Sequence, residues 1–312
     1  MQFRPWRLPD DLPRIAAIAG ASFWSPVTAA DLEAREKEPP IETIRHRLVA
    51  VSPEGLVVAY GQIGREEHTV EGRFFVRVAV APEHRHQGIG TALLARLEGW
   101  ARERGATSFE TKFRDEPAWL AFARRNGYTQ IQGHHIGFLL DLPRFDETPF
   151  TDRVPRLEAE GLRFTTLAAV DSPAMRRAVH ELERHCNADE PGFENEPFVS
   201  FENWEREICE SAAVPRDCII LALDGERPVA LTTIGFAGLQ RDLMRVYFTG
   251  VHREYRGRGL ALAVKLLAIQ TARRYGAARL GTGTDERNGA MAHLNRKLGF
   301  GSQPGMYWCI KA

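Results

Sequence analysis

Two segments of this chain repeat one pattern at a fixed spacing. Arg85-His86-Gln87-Gly88-Ile89-Gly90 and Arg256-Gly257-Arg258-Gly259-Leu260-Ala261 both read Arg-x-x-Gly-x-Gly/Ala, at an offset of 256 − 85 = 171 positions. An apolar alternating run precedes each copy and a long amphipathic run follows it, so each copy is expected to join a strand to a helix through a tight glycine turn. Backbone N–H groups at such a helix start point outward and the helix dipole favours negative charge, which suits the turn to phosphates. The repeat also constrains the architecture: 312 residues exceed one ordinary core and suit two domains of roughly 150 residues.

Composition narrows the partners. Lys plus Arg number 41 and so do Asp plus Glu, so no net field draws the chain to nucleic acid or an anionic membrane, and neither is expected as a partner. No apolar stretch approaches the roughly 20 residues of a membrane-spanning helix. The opening Met1-Gln2-Phe3-Arg4-Pro5-Trp6 has no secretory core, which makes a cytoplasmic location the expectation. Cys186, Cys209, Cys218 and Cys309 all fall in the second half without a Cys-x-x-Cys pair. Buried reduced thiols are expected there, with no disulfide framework and no metal.

Periodicity places strands at 3–8, 47–51, 56–63, 74–80, 108–113 and 129–140, and helices at 11–22, 28–37, 90–105 and 117–126. The second half retraces this order, with strands at 163–167, 219–223, 229–236, 244–251, 279–284 and 306–310 and helices at 173–185, 202–210, 260–276 and 290–298. Gly105 and Gly276, again 171 apart, are expected to end the helices that follow the glycine turns. Pro143, Pro149 and Pro155 stand among charges between the halves, so the reading divides the chain into domains 1–142 and 159–312 joined by a linker at 143–158.

Two familiar phosphate loops are excluded. Neither copy has the Gly-Lys-Ser/Thr of a nucleoside triphosphate loop, and the third glycine of a dinucleotide fingerprint would fall on Leu93 or Leu262. The bland alternative is a strand-to-helix turn whose glycines serve packing only.

The segments Val78-Ala79-Val80-Ala81-Pro82-Glu83-His84-Arg85 to Gly90 and Thr249-Gly250-Val251-His252-Arg253-Glu254-Tyr255-Arg256 to Ala261 resemble the acetyl-CoA motif of the GCN5-related N-acetyltransferase (GNAT) superfamily. Asn126-Gly127-Tyr128 and Leu298-Gly299-Phe300 match the family's ending of its last helix, so the resemblance spans nearly the whole chain. It implies an α/β (α+β) fold class of two tandem domains, each a mixed, mostly antiparallel sheet with a splayed central strand pair and flanking helices. It also implies acetyl-CoA as the cofactor. Residues expected to hold it are Thr249, Val251, Arg256, Gly257, Arg258, Gly259, Leu260, Ala261, Asn288 and Asn295 in the second half. In the first half they are Val78, Val80, Arg85, His86, Gln87, Gly88, Ile89, Gly90 and Thr91.

The acid is where the sequence departs from that pattern. Many relatives carry a tyrosine at the position of Ala123 and Asn295, near the leaving sulfur. The second half keeps the pair Asn288 and Asn295 where the first has Glu116 and Ala123, so the second is expected to be active and the first a degenerate copy still able to bind CoA. Tyr307 is the nearest alternative donor, set against a purely packing role beside Trp308. No base is assigned: Asp285 and Glu286, and Glu66, Glu67 and His68, stand in suitable regions but equally read as solvated charges. In this family the loop after the first helix forms much of the acceptor pocket. Here its Asp189, Glu190, Glu194 and Glu196, with Phe193 and Phe198, suit a cationic small-molecule amine. The resemblance therefore implies direct acetyl transfer to such an amine in a ternary complex. A non-catalytic acyl-CoA-binding sensor and a mycothiol synthase-like acetylation of a thiol-precursor amine are the alternatives; the oligomeric state is left open.

Overall fold

The computed structural model describes residues 1–20, 28–37, 42–66, 69–238 and 241–312. The chain forms two compact units, one of Met1–His135 with Pro304–Ala312 and one of Ile136–Gln303.

The first unit runs β1 (Gln2–Pro5), α1 (Leu12–Gly20), α2 (Ala29–Lys37), β2 (Glu42–Val51), β3 (Val57–Glu66), β4 (Arg73–Val80), α3 (Ile89–Arg102), β5 (Ser108–Arg114), α4 (Pro117–Arg125) and the first part of β6 (Gln130–Asp141). Leu93, Leu97 and Ala101 recur at helical spacing and bury α3 against Ile63, Phe74 and Phe109 on one face of the sheet. Ile15 and Ile18 of α1 cover the other face, against Val49, Val57 and Tyr60. All neighbouring strands of β1 to β5 run antiparallel except β4 and β5.

The second unit repeats the plan with α5 (Arg153–Ala159), β7 (Leu162–Thr166), α6 (Leu167–Val170), α7 (Pro173–Asn187), α8 (Phe201–Trp204), β8 (Ile219–Asp224), β9 (Arg227–Phe236), β10 (Leu243–Val251), α9 (Leu260–Arg274), β11 (Arg279–Asp285) and α10 (Gly289–Lys297). The helix expected at 202–210 is one turn of α8 followed by a π-turn at Glu205–Cys209. β9 is buried on both faces and reads accordingly as a nearly continuous apolar run. Four cysteines are buried and unbonded, and burial pushes their thiols up to about 11 for Cys186 and Cys309 and about 12 for Cys209 and Cys218.

Two features differ from the expected division. Residues 143–158 are packed rather than extended: Leu142 and Leu157 are buried with Ile220 and Ala268, and Arg273 donates to the carbonyls of Leu142 and Phe145. The prolines that suggested a linker sit where proline is at ease, Pro143 and Pro149 in short 3₁₀ turns and Pro155 in the first turn of α5. The closing strands are also exchanged. β12 (Gly301–Lys311) pairs antiparallel with β5, from Met306 opposite Arg114 to Lys311 opposite Phe109, and its residues from Pro304 belong to the first unit. From Ile136 onward β6 belongs to the second unit, beside β11. Apolar alternation fixes which face of a strand is buried but carries no information on which sheet receives it.

Candidate active site

In each unit the strand before the glycine turn parts from its parallel neighbour. β4 pairs with β5 only from Arg73 to Phe75, while its pairing with β3 continues to Val80. β10 likewise pairs with β11 only from Leu243 to Arg245, bulges between Val246 and Phe248, and stays on β9 to Val251. The far halves of β4 and β10 therefore turn a ladder edge into a wedge. Backbone N–H and C=O groups there are available to an extended ligand arm.

The turn itself is built alike in both copies. Arg85 Nε donates to the carbonyl of Val80, and Arg256 Nε to that of Val251, both at 3.1 Å. Gly88 (φ 77°) and Gly259 (φ 88°) cap α3 and α9 in the left-handed region, and Gly257 (φ 80°) matches His86 (φ 62°). A non-glycine residue held there is strained, and the turn imposes it. Gly90 has a different reason: a Cβ would come within 3.2 Å of Phe122 and 3.3 Å of Val80. The first helical N–H groups are thus left facing outward at the positive end of a helix dipole.

The surroundings of the two turns differ. In the first unit a cavity of about 450 Å³ runs from the wedge to the turn, lined by Val78, Val80, Arg85, His86, Gly88 and Thr91. Arg85 stands over the Trp119 ring at 5.4 Å, and its buried Nη2 has no hydrogen-bond partner. In the second unit Arg256 is engaged: its Nη2 donates to Asp189 at 2.6 Å, and Arg253 binds the same carboxylate. These two arginines hold the Asp189 carboxyl far below its usual range. Arg258 pairs with Glu160 at 3.2 Å. Arg153 of α5 reaches over the turn, so that a Cβ on Gly259 would lie 2.9 Å from its Nη1.

The acetyltransferase (GNAT) family model matches residues 18–128 and 176–300, so it covers both units and the greater part of the chain. The chain belongs to the GNAT family. Its fold is similar over 99% of its length to the tandem GNAT protein from the clavulanic acid biosynthesis pathway, at 22% identity, 97% of that chain and a TM-score of 0.77. It is similar over 99% of its length to a GCN5-related N-acetyltransferase from Sphaerobacter thermophilus, at 20% identity, 95% of that chain and a TM-score of 0.75. No curated protein matches it at a significant level. The protein is a tandem GNAT acyltransferase, and no helix among its described residues is long and apolar enough to cross a membrane.

CoA fits what the GNAT turns present. The buried nitrogen of Arg85 lacks a partner beside an open cavity, and an anionic pyrophosphate supplies what it lacks. In the second unit a smaller cavity of about 60 Å³ occupies the wedge, lined by Thr249, Thr282, Thr284, Lys265, Glu190 and Asn288. The corresponding pocket of the first unit is mostly apolar, with Val76, Val78, Leu94, Phe113 and Phe122 beside Arg77 and Lys112.

Of the other anticipated residues, Asn288 and Glu190 border the second cavity and the rest stand apart from it. Asn288 caps α10, its Oδ1 accepting from Met291 N at 3.1 Å, while the buried amide of Asn295 has no partner at either atom. Tyr307 is not in the second unit: it lies on β12 opposite Phe113, stacked at 4.3 Å on His134, which bonds Asp115 at 2.7 Å. Asp285 is buried and held by both Nε and Nη2 of Arg287, and Glu286 is exposed. Of the four carboxylates in the acidic loop, Glu190 reaches the wedge cavity. Asp189 serves the arginines, Glu194 accepts from Gly192 N at 2.8 Å, and Glu196 is half-buried. Glu67 and His68 lie outside the described residues, as does the side chain of Glu66. Sequence reading missed Arg153 and Lys265. Arg153 sits in a stretch that looked like a linker and gave no signal. Lys265 was detectable, because the repeat puts it opposite Leu94 in an otherwise apolar position (265 − 94 = 171).

Proposed function

We propose that this GNAT chain transfers the acetyl group of acetyl-CoA directly to the amino group of a small molecule, in a ternary complex formed at the second unit. The observation that carries this reading is the polar cavity in the wedge between β10 and β11, which joins a cofactor-type turn to ionisable side chains. Acetyl-CoA supplies the activated acyl group. Thr249 and Val251 would offer their backbone to its pantetheine arm, and the N–H groups after Gly259, with Arg153 and Arg258, would meet its phosphates. Backbone N–H groups aimed at the thioester carbonyl stabilise charge that grows during attack, an effect worth roughly 10²–10³ in rate per donor. Glu190, which lines the cavity, would hold the incoming ammonium and accept its proton.

A second reading applies to the first unit alone, which we take as an acyl-CoA-binding copy without chemistry. Its turn is open, but its wedge pocket is mostly apolar and has Leu94 where the second unit has Lys265.

Gly259→Glu puts a charged side chain against Arg153 and the phosphate position and is expected to abolish transfer. Gly88→Glu is expected to remove one calorimetric acetyl-CoA site while leaving turnover in place. Unchanged turnover in the Gly259 variant overturns the assignment to the second unit. Binding of acetyl-CoA with no acetylation across a broad amine panel, the mycothiol precursor included, favours a sensor for the whole chain.

A further inference from the structure

Lys265 is the lysine among the buried polar residues of the described chain, with 2% of its surface exposed. Burying an ammonium without a counter-ion is costly, and the fold does not demand one here. The equivalent Leu94 fills the same place in the first unit as an ordinary core residue. Lys265 lies on α9, six residues beyond Gly259, with Nζ 5.6 Å from the Phe300 ring and no hydrogen bond or ion pair among the described residues. It lines the wedge cavity beyond Arg245, where the pairing of β10 with β11 has ended. Glu190 is the charged group sharing that cavity. β11 faces it with Thr282 and Thr284, α10 with Asn288 and Met291, and β10 with Thr249 and with Tyr247, whose hydroxyl is tied to the Phe236 carbonyl.

We propose that Lys265 is the acid of the second unit, its ammonium stabilising and protonating the sulfur that leaves when the thioester is cleaved in the wedge. The inference rests on the acyl-transfer reading above. The amine nitrogen bonds to the carbonyl carbon, and the carbon–sulfur bond breaks with its electron pair on sulfur. A proton then passes from Lys265 Nζ to that sulfur. The proton released by the amine passes by way of Glu190 to solvent, from which the neutral lysine is recharged. Burial alone lowers the lysine pKa to about 7, so the group holds and yields a proton near neutrality.

The test uses CoA alone, because the acceptor is unidentified. The thiol of bound CoA is titrated by its thiolate absorbance in the wild type and in Lys265→Met. The thiol is expected to be about tenfold more acidic on the wild type than on the variant. The first unit contributes equally to both proteins, so the difference isolates the second. Lys265→Arg keeps a charge and is expected to retain most of the acidity. Melting curves are expected to show the Met variant at least as stable as the wild type, since a buried amine has been removed. Identical thiol titrations in wild type and Met variant overturn the proposal. With an accepted amine in hand, Lys265→Met is expected to lower kcat about 100-fold, with KM for acetyl-CoA nearly unchanged and the alkaline limb of the kcat profile lost. A shifted thiol on a protein that acetylates no amine overturns the transfer reading while the lysine–sulfur contact stands. Turnover with an unshifted thiol and an unimpaired Met variant overturns the lysine's role alone.

Discussion

Single residues in the second unit carry charges that the fold must offset. Glu183 of α7 is buried beside Trp204, whose Nε1 donates to its Oε2 at 3.0 Å, and burial raises its pKa from the usual 4.5 to about 7. The folded state therefore holds this proton more tightly than the unfolded chain does. Stability from this group is complete below about 4.5 and declines as pH rises through about 7. Glu183→Gln keeps an acceptor for Trp204 and removes the titration. It is expected to flatten the melting temperature between these two values and to gain on the order of 2 kcal/mol at pH 8, as measured by thermal denaturation across pH. An unchanged pH dependence would show that Glu183 is solvated in its charged form. Lys265 acts with the opposite sign: its lowered pKa means that stability is regained as pH rises above about 7. These two groups differ in how visible they are in the sequence. Glu183 looks like any charged residue on an amphipathic helix, whereas Lys265 breaks an apolar stripe that its repeat partner keeps.

At the scale of elements, most of the fold follows from local pattern. The strands before the turns, the helices after them and the glycines that end those helices are set by period, by left-handed backbone and by cap chemistry, all of which act within a few residues. What the sequence does not disclose is pairing at a distance. Asp189 looked free to meet an amine because the arginines that engage it stand 64 and 67 positions later. The stretch containing α5 looked like a linker because prolines and charges are ambiguous between turn, helix start and tether. Leu157 distinguishes these, since it is 1% exposed in the second unit's core. Leu157→Ala is expected to cost about 2–5 kcal/mol in denaturant unfolding of that unit, where a tethering segment would show no change. The loss should extend to CoA binding at the second turn, because α5 also holds Arg153 over Gly259.

The whole molecule is one fold used twice, with its last strands exchanged. Trp308, Cys309 and Ile310 are buried in the first unit, and Lys311 Nζ bonds Glu98 at 2.6 Å on the same carboxylate that accepts from Tyr128 at 2.8 Å. The C-terminal residues are thus part of the first unit's core and of a buried polar network that is costly to leave half satisfied. A chain ending at Gln303 removes them while leaving Ile136–Gln303 whole. Hydrogen exchange of that truncated protein is expected to show residues 1–135 losing protection and residues 136–303 keeping it. A division at 142 and 159 predicts the reverse, because the missing strand would then be taken from the second domain. Acetyl-CoA binding sharpens the comparison: truncation is expected to abolish the site at Gly88 and spare the one at Gly259. Loss of the Gly259 site with retention of the first would overturn the exchange, since each cofactor turn depends on the sheet that supports its strand.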